Sequence, residues 1–560
     1  MHTKIGRLPV PAAAILAAGM VLAAQTPAPI PPGVQKAFAT FSTARLLEHI
    51  RLLSSDKFQG RGPGTVGETL SLRYLQDQFR EVGLTPGNPD GTYLEKVPLE
   101  GIYADPKSMR LTFTAGGQTF SPRFGDDYVA WTKRIVPEAA SRGELVFAGY
   151  GIDAPAFRWN DFKGANLKGK ILVVLVNNPP FKFLAGKKVM TYYGRWTYKF
   201  EEAARLGAAG CLIVHETGPA GYPWAVVHGS WTGEQFTLAN LNKNMNRAPF
   251  EAWITHDTAE KLFRMAGKNF DQLEAAAQRR DFHPVPLGVT GQVEIHNALR
   301  EVDSHNVIGK IIGSDPKLRN EYVIYTAHWD HLGMHNGQIF HGADDNGSGV
   351  SSLIELARAF RALPTPPRRT LLFLSVTAEE QGLLGSEYYA EHPLYPLART
   401  AADINMDALN VWGPTRDIVS IGMGESTIDR TIAAAARALG RVVRPDPDPG
   451  KGFFFRSDHF SFVQHGVPAF DPDSGVDYIG KPAGWGQRIH DQFTANDYHK
   501  PTDVIEPDWN LAGLVDDAKL FFLVGYDLAN AATMPTWNPG SEFRAARLAS
   551  LKAARMRSEP

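Results

Sequence analysis

Apolar residues recur at helical spacing over residues 43–53 and 67–82, and a Gly/Pro-rich loop, Gln59-Gly60-Arg61-Gly62-Pro63-Gly64-Thr65, separates the two. A 3.6-residue period puts one stripe of a helix against a core, so both segments read as amphipathic helices. Short β-type runs follow: 109–113, Glu144-Leu145-Val146-Phe147 and Lys170-Ile171-Leu172-Val173-Val174-Leu175. A helix over 199–206 leads into the apolar run 208–214, and this β-rich module with one or two helices ends near Pro286. From about Leu287 strands and helices alternate. Strands are predicted at 321–327, 370–377, 402–406 and 467–470, and helices at 349–360, 386–390, 427–439 and 509–530. That alternation argues for an α/β sandwich with a largely parallel central sheet.

A chain of 560 residues exceeds one hydrophobic core and should hold two or three domains. With a formal net charge of −1 and no dense Lys/Arg run, neither nucleic acid nor an anionic membrane is expected as a partner. The first 24 residues read as an export signal, with Lys4 and Arg7 ahead of an apolar run over 12–24 that ends in small residues. The run is short for a membrane span, so the expected product is a periplasmic or secreted protein without stable membrane insertion after cleavage. Cys211 is the only cysteine, which excludes an intramolecular disulfide and any Cys-x-x-Cys metal site. Its place in 208–214 marks it as a buried strand residue.

Ionisable residues gather where strands end. His328 and Asp330 follow Tyr322-Val323-Ile324-Tyr325, Glu379 and Glu380 follow the 370–377 run, and Asp407 closes the 402–406 run. Asp344 sits in the Gly-rich loop that opens the 349–360 helix. Ligands of open α/β sheets bind beyond the carboxyl ends of the strands. Four loops thus bring imidazole or carboxylate to one sheet edge, a mixed donor set suited to divalent metal ions.

Six motifs then occur in a familiar order: Ala327-His328-Trp329-Asp330; Gly342-Ala343-Asp344-Asp345-Asn346-Gly347-Ser348-Gly349; Ala378-Glu379-Glu380-Gln381-Gly382; Asn405-Met406-Asp407; Arg456-Ser457-Asp458-His459; and Tyr498-His499-Lys500-Pro501-Thr502-Asp503. Together they resemble the co-catalytic zinc aminopeptidase and glutamate carboxypeptidase family. The stretch from Leu53 to Thr65 is similar to a segment near the start of many members, and 140–286 resembles a protease-associated domain. The resemblance implies a zinc exopeptidase fold, a three-layer sandwich with a mostly parallel sheet. It divides the chain into a signal (1–24), an N-terminal part of the peptidase domain (35–139), the insertion (140–286), the catalytic domain (287–535) and a basic, solvated tail (536–560).

The resemblance also implies two zinc ions per chain. Asp344 would bridge them, His328 and Asp407 would complete one site, and Glu380 and His499 the other. Glu379 would be the general base, Asp330 would orient His328, and Tyr498 would donate to the developing oxyanion. A non-proline cis bond is expected between Asp344 and Asp345. His331, His335 and His341 are expected at the loop or rim. Asp458 and His459 are expected to stabilise a helix start. Arg61 and Arg456 are candidates for holding a substrate carboxylate, with an ion pair to a nearby Asp as the commoner outcome. The implied activity is removal of residues from peptide ends, foremost as an aminopeptidase. A carboxypeptidase or dipeptidase, a single-zinc glutaminyl cyclase and a non-catalytic receptor of the same fold remain as alternatives. Peptides or proteins are the implied substrates, and the sequence carries no mark of oligomeric state.

Overall fold

The computed structural model of the chain describes residues 30–183, 187–335 and 337–558. The export signal expected over 1–24 lies outside the described residues. At the centre of the main sheet four strands run parallel, in the order Thr370–Val376, Tyr322–His328, Thr400–Asn405 and Ala469–Asp473. The first three are buried along their whole length, as a parallel sheet covered on both faces requires. Side chains alternate between the two faces. Val323, Tyr325, Leu371 and Phe373 join one core with the helices Thr43–Leu53, Gly347–Arg361 and Ala512–Asn530. Tyr322, Ile324, Leu372 and Leu374 join another with Leu384–Glu391 and His459–Gln464. The result is the expected α/β/α layering, with helices on both faces of the sheet.

Antiparallel strands extend this sheet on both sides. Val285–Ile311 pairs with Thr370–Val376 and with Leu94–Ala104, and Asp417–Ile421 pairs with Ala469–Asp473. Leu94–Ala104 carries no clear strand pattern in the sequence. Its Glu95, Lys96, Pro98, Glu100 and Gly101 interrupt the apolar positions and suppress the β signal.

A second sheet forms the core of the module, with Phe113, Tyr128, Phe147, Val173 and Ile254 on one face and Val129, Val146, Val174 and Ile213 on the other. Cys211 lies fully buried here in Gly210–His215. Two of the expected boundaries shift. The strands Arg110–Ala115 and Tyr128–Trp131, assigned from sequence to the N-terminal part, belong to this module, because short β runs carry no mark of which core they join. The boundary at 286/287 falls inside Val285–Ile311. That strand pairs with Glu138–Phe147 in the module and then continues into the main sheet, so the two units share it without a linker. The tail forms the helix Arg544–Ser558, and it is docked rather than fully solvated: the buried Arg547 donates to the carbonyls of Leu397 and Thr400 at 2.8 and 2.9 Å. Among the described residues no helix is long and apolar enough to cross a membrane.

Candidate active site

His328 is the last residue of its strand, and its Nδ1 lies 3.1 Å from the carbonyl oxygen of Asp330. A carbonyl only accepts, so Nδ1 donates to it and Nε2 is the ring atom aimed past the sheet edge, free to donate to a carboxylate or, once deprotonated, to ligate a metal. That Nε2 is 3.0 Å from Asp407 Oδ1, 3.4 Å from Asp345 Oδ1 and 3.9 Å from Glu379 Oε2. Opposite it, His499 Nε2 is 3.0 Å from Glu380 Oε2 and 3.4 Å from Asp345 Oδ2. The Asp345 carboxylate therefore lies between the two imidazoles and presents one oxygen to each. Left-handed backbone at Ala378 and His499 turns the chain into the site just where Glu379 and the His499 ring are delivered.

This placement corrects the expected bridging residue. Asp344 makes no ion pair with either imidazole; its neighbour Asp345 occupies that position. Asp503 sets the choice. Its two carboxylate oxygens accept the backbone N–H groups of Asp344 and Asp345 at 2.9 and 3.0 Å. Asn346 then caps the following helix by accepting from Gly349 N–H, and its amide donates to the carbonyl of Met406 beside Asp407. The cis link is likewise one bond later than expected, between Asp345 and Asn346.

Burial opposes charge throughout this cluster, and the partners decide each outcome. On His328 the carboxylates of Asp407 and Glu379 outweigh burial and raise its pKa well above the usual imidazole range. His499 is raised to about 10, as Glu380 and Asp345 overcome burial. Glu380 falls to about 2 despite burial, chiefly through His499, and Asp345 is held well below the usual range by hydrogen bonds from both imidazoles. Glu379 goes the other way: burial dominates over the opposing charge of His328, and its carboxyl binds a proton far more readily than a free glutamate.

The donor spacing fits metal. Tetrahedral zinc with ligand bonds of about 2.0–2.1 Å separates neighbouring donor atoms by about 3.3 Å, and the four imidazole–carboxylate separations are 3.0–3.4 Å. His328, Asp345 and Asp407 form one donor triad; Asp345 and Glu380 form the other with His331, and both also stand within 3.0–3.4 Å of His499 Nε2. Asp407 is steadied by Ser457, whose hydroxyl donates to Oδ2 at 2.7 Å.

His331 is not at the rim as expected. It is fully buried, with Nδ1 2.6 Å from Glu380 Oε1. Of the other two histidines, His341 is half-buried and contacts Asp56 and the Pro501 carbonyl, and His335 lies in a two-stranded hairpin. Asp330 accepts from Glu379 N–H at 3.1 Å, with its carboxylate 3.7 Å from His328 Nδ1, so it ties two strand ends together. Tyr498 stacks on the His499 ring at 3.9 Å. Asp458 makes no cap bond at its helix start and accepts instead from Ser386 at 2.6 Å. Arg61 makes no ion pair with an Asp among the described residues: it is buried and donates to the carbonyls of Leu53, Trp329, His341 and Gly342, pinning the loops beside the site. The roles of Asp345 and Asp503 were hidden in motifs already visible in the chain. The Asp-Asp pair and the terminal Asp of the Tyr498 motif were the available signals.

Residues 306–522 match the family model described as Peptidase family M28. Aminopeptidase YwaD of Bacillus subtilis (strain 168) is 35% identical over 208 residues, covering 36% of this chain and 40% of that protein. Aminopeptidase NAALADL1 of Mus musculus is 39% identical over 128 residues, 22% of this chain and 16% of that protein. Carboxypeptidase Q of Xenopus laevis is 30% identical over 229 residues, 40% and 39% of the two chains. The match thus spans less than half the length of each of these relatives. In fold the chain is similar to the solved structure of an aminopeptidase from Aneurinibacillus sp. strain AM-1, with a TM-score of 0.52 at 20% identity over 88% of this chain and 95% of that one. Residues 306–522, which carry every residue of the donor cluster, are thus similar to peptidase family M28.

Proposed function

We propose that this chain is a zinc-dependent metallo-exopeptidase that holds two ions, acts foremost as an aminopeptidase and is exported. One observation carries the reading: the Asp345 carboxylate lies between His328 and His499 with an oxygen toward each, and Asp407 and Glu380 close the two triads. Bound zinc would polarise the scissile carbonyl and make water a stronger acid. The chain's own groups supply the rest. Glu379 stands beside the His328 triad without the close imidazole contact that Glu380 makes, and burial raises its affinity for a proton. It takes the proton of the attacking water and passes it to the leaving amine. Asp330 holds the Glu379 backbone in register with the His328 strand end. Tyr498, stacked on His499, is positioned beside the metal donors as the phenol that donates to the developing oxyanion.

Metal analysis and a peptide panel test this reading. About two zinc ions per purified chain are expected; fewer than about one overturns the two-ion assignment. Hydrolysis should require a free amine. Cleavage that survives N-blocking but fails on C-amidated peptides would make the chain a carboxypeptidase. Export is checked by N-terminal sequencing of mature protein, where a start at Met1 argues against it.

A further inference from the structure

Asp407 and Glu380 are each divided between two partners. Asp407 turns Oδ1 to His328 Nε2 at 3.0 Å, and its Oδ2 accepts from the Ser457 hydroxyl at 2.7 Å. Glu380 turns Oε2 to His499 Nε2 at 3.0 Å, and its Oε1 lies 2.6 Å from His331 Nδ1. His331 therefore stands to Glu380 as Ser457 stands to Asp407.

Distance separates the two imidazoles on Glu380. Ligands of one tetrahedral zinc ion stand about 3.3 Å apart, a spacing that the His499 contact at 3.0 Å approaches. At 2.6 Å, His331 Nδ1 and Glu380 Oε1 would subtend an angle of only about 80° at such an ion. Their separation sits instead beside the range of a charge-assisted hydrogen bond, about 2.7–2.9 Å.

The surrounding chain holds this ring in place. His331 is fully buried, and its backbone N–H donates to the carbonyl of Arg61 at 3.4 Å. The Arg61 guanidinium in turn holds the carbonyls of Trp329, His341 and Gly342. Gly342 is left-handed, with φ of 57°. A Cβ at that position would come within 2.6 Å of His331 Cγ and collide with the Asp345 carbonyl. Only glycine at this turn lets the imidazole pack beside the loop that carries Asp345 and still reach Glu380.

We propose that His331 is a positioning residue for the second metal site: it donates Nδ1–H to Glu380 Oε1 and leaves Oε2 as the one oxygen turned to the ion. This rests on the two-ion reading and goes beyond it. The segment His328-Trp329-Asp330-His331 then serves both ions, its first imidazole ligating one and its last setting the carboxylate that ligates the other.

The test measures zinc affinity of the full chain, ion by ion, in competition with a chelator, beside the absorption spectrum of the cobalt-loaded form. The variants are His331→Leu, His331→Asn and Ser457→Ala. Loss of a partner that orients a ligand costs about 10–100-fold in metal affinity. His331→Leu should lose that much for one ion and keep the other within about threefold. His331→Asn should recover much of the loss, because its amide nitrogen falls near the place of Nδ1 and is also a donor. Ser457→Ala should weaken the other ion, so the two changes combined weaken both. The cobalt spectrum should change in His331→Leu and return toward the natural one in His331→Asn, which a merely loosened fold would not produce. Unchanged affinities in His331→Leu, an equal loss of both ions, or no recovery in His331→Asn overturns the proposal; a natural chain that still binds two ions keeps the two-ion reading. If the natural chain binds a single ion, the two-ion reading fails, and the contrast between the leucine and asparagine variants on that ion still decides the role of His331. Binding of no ion sinks both.

Discussion

A cluster of buried charge in the module and another at the edge of the main sheet are built differently. In the module Lys199 is buried, and its ammonium donates to the carbonyls of Asn177 and Tyr193 at 2.7 and 2.9 Å. Nearby Asp161 accepts from Trp159 Nε1 and Ile152 N–H at 2.7 and 3.2 Å. Burial brings the lysine down to about 7 and the aspartate up to about 6. The sheet-edge cluster gathers several carboxylates around His328 and His499, and there Asp344 Oδ1, Asp330 Oδ2 and His499 Nδ1 are buried without hydrogen-bond partners. Buried charge alone therefore does not mark a site. Converging donors with unmet capacity, spaced as a cation requires, do.

The largest expected effect separates Asp345 from its neighbour. Asp345→Asn should cut turnover by more than about a thousandfold and lower the zinc content, beyond the 10–100-fold range for residues one layer out. Asp344→Asn should keep the zinc. Metal analysis of both variants decides it, and the reverse pattern would restore Asp344 as the bridge. Next comes Glu379→Gln, expected to lose about 10²–10⁴-fold in kcat with zinc retained; natural turnover in the loaded variant would rule out the proton-carrying role. A smaller change follows from Asp330→Asn, which should weaken zinc binding by about 10–100-fold in competition with a chelator. Unaltered affinity would confine Asp330 to shaping the loop. Lys199→Met should barely touch the site. Turnover per folded molecule is expected within about twofold of the natural chain, while stability in denaturant falls by about 2 kcal/mol as the carbonyls of Asn177 and Tyr193 lose their buried donor. A large catalytic loss at unchanged stability would erase the distinction between the two clusters.

Much of the catalytic unit was legible in the chain. The four parallel strands and the helices between them came from local periodicity, and the loops that carry His328, Glu379, Glu380, Asp407 and His499 came from short motifs. Leu94–Ala104 and the true start of the module were not legible, because their polar interruptions and short runs acquire meaning only from the strands they pair with. His331 was misplaced for a related reason. A histidine beside a glycine-containing loop reads as rim, and only the fold shows that the strand end carries it inward to Glu380.

The adjacent pair Asp344-Asp345 marks the limit most sharply. Residue order and spacing are local properties, and they suffice to say that one carboxylate of this loop faces the two histidines. Which one depends on how the loop is turned, and that is set by Asp503, 159 residues from Asp344, gripping two consecutive amides.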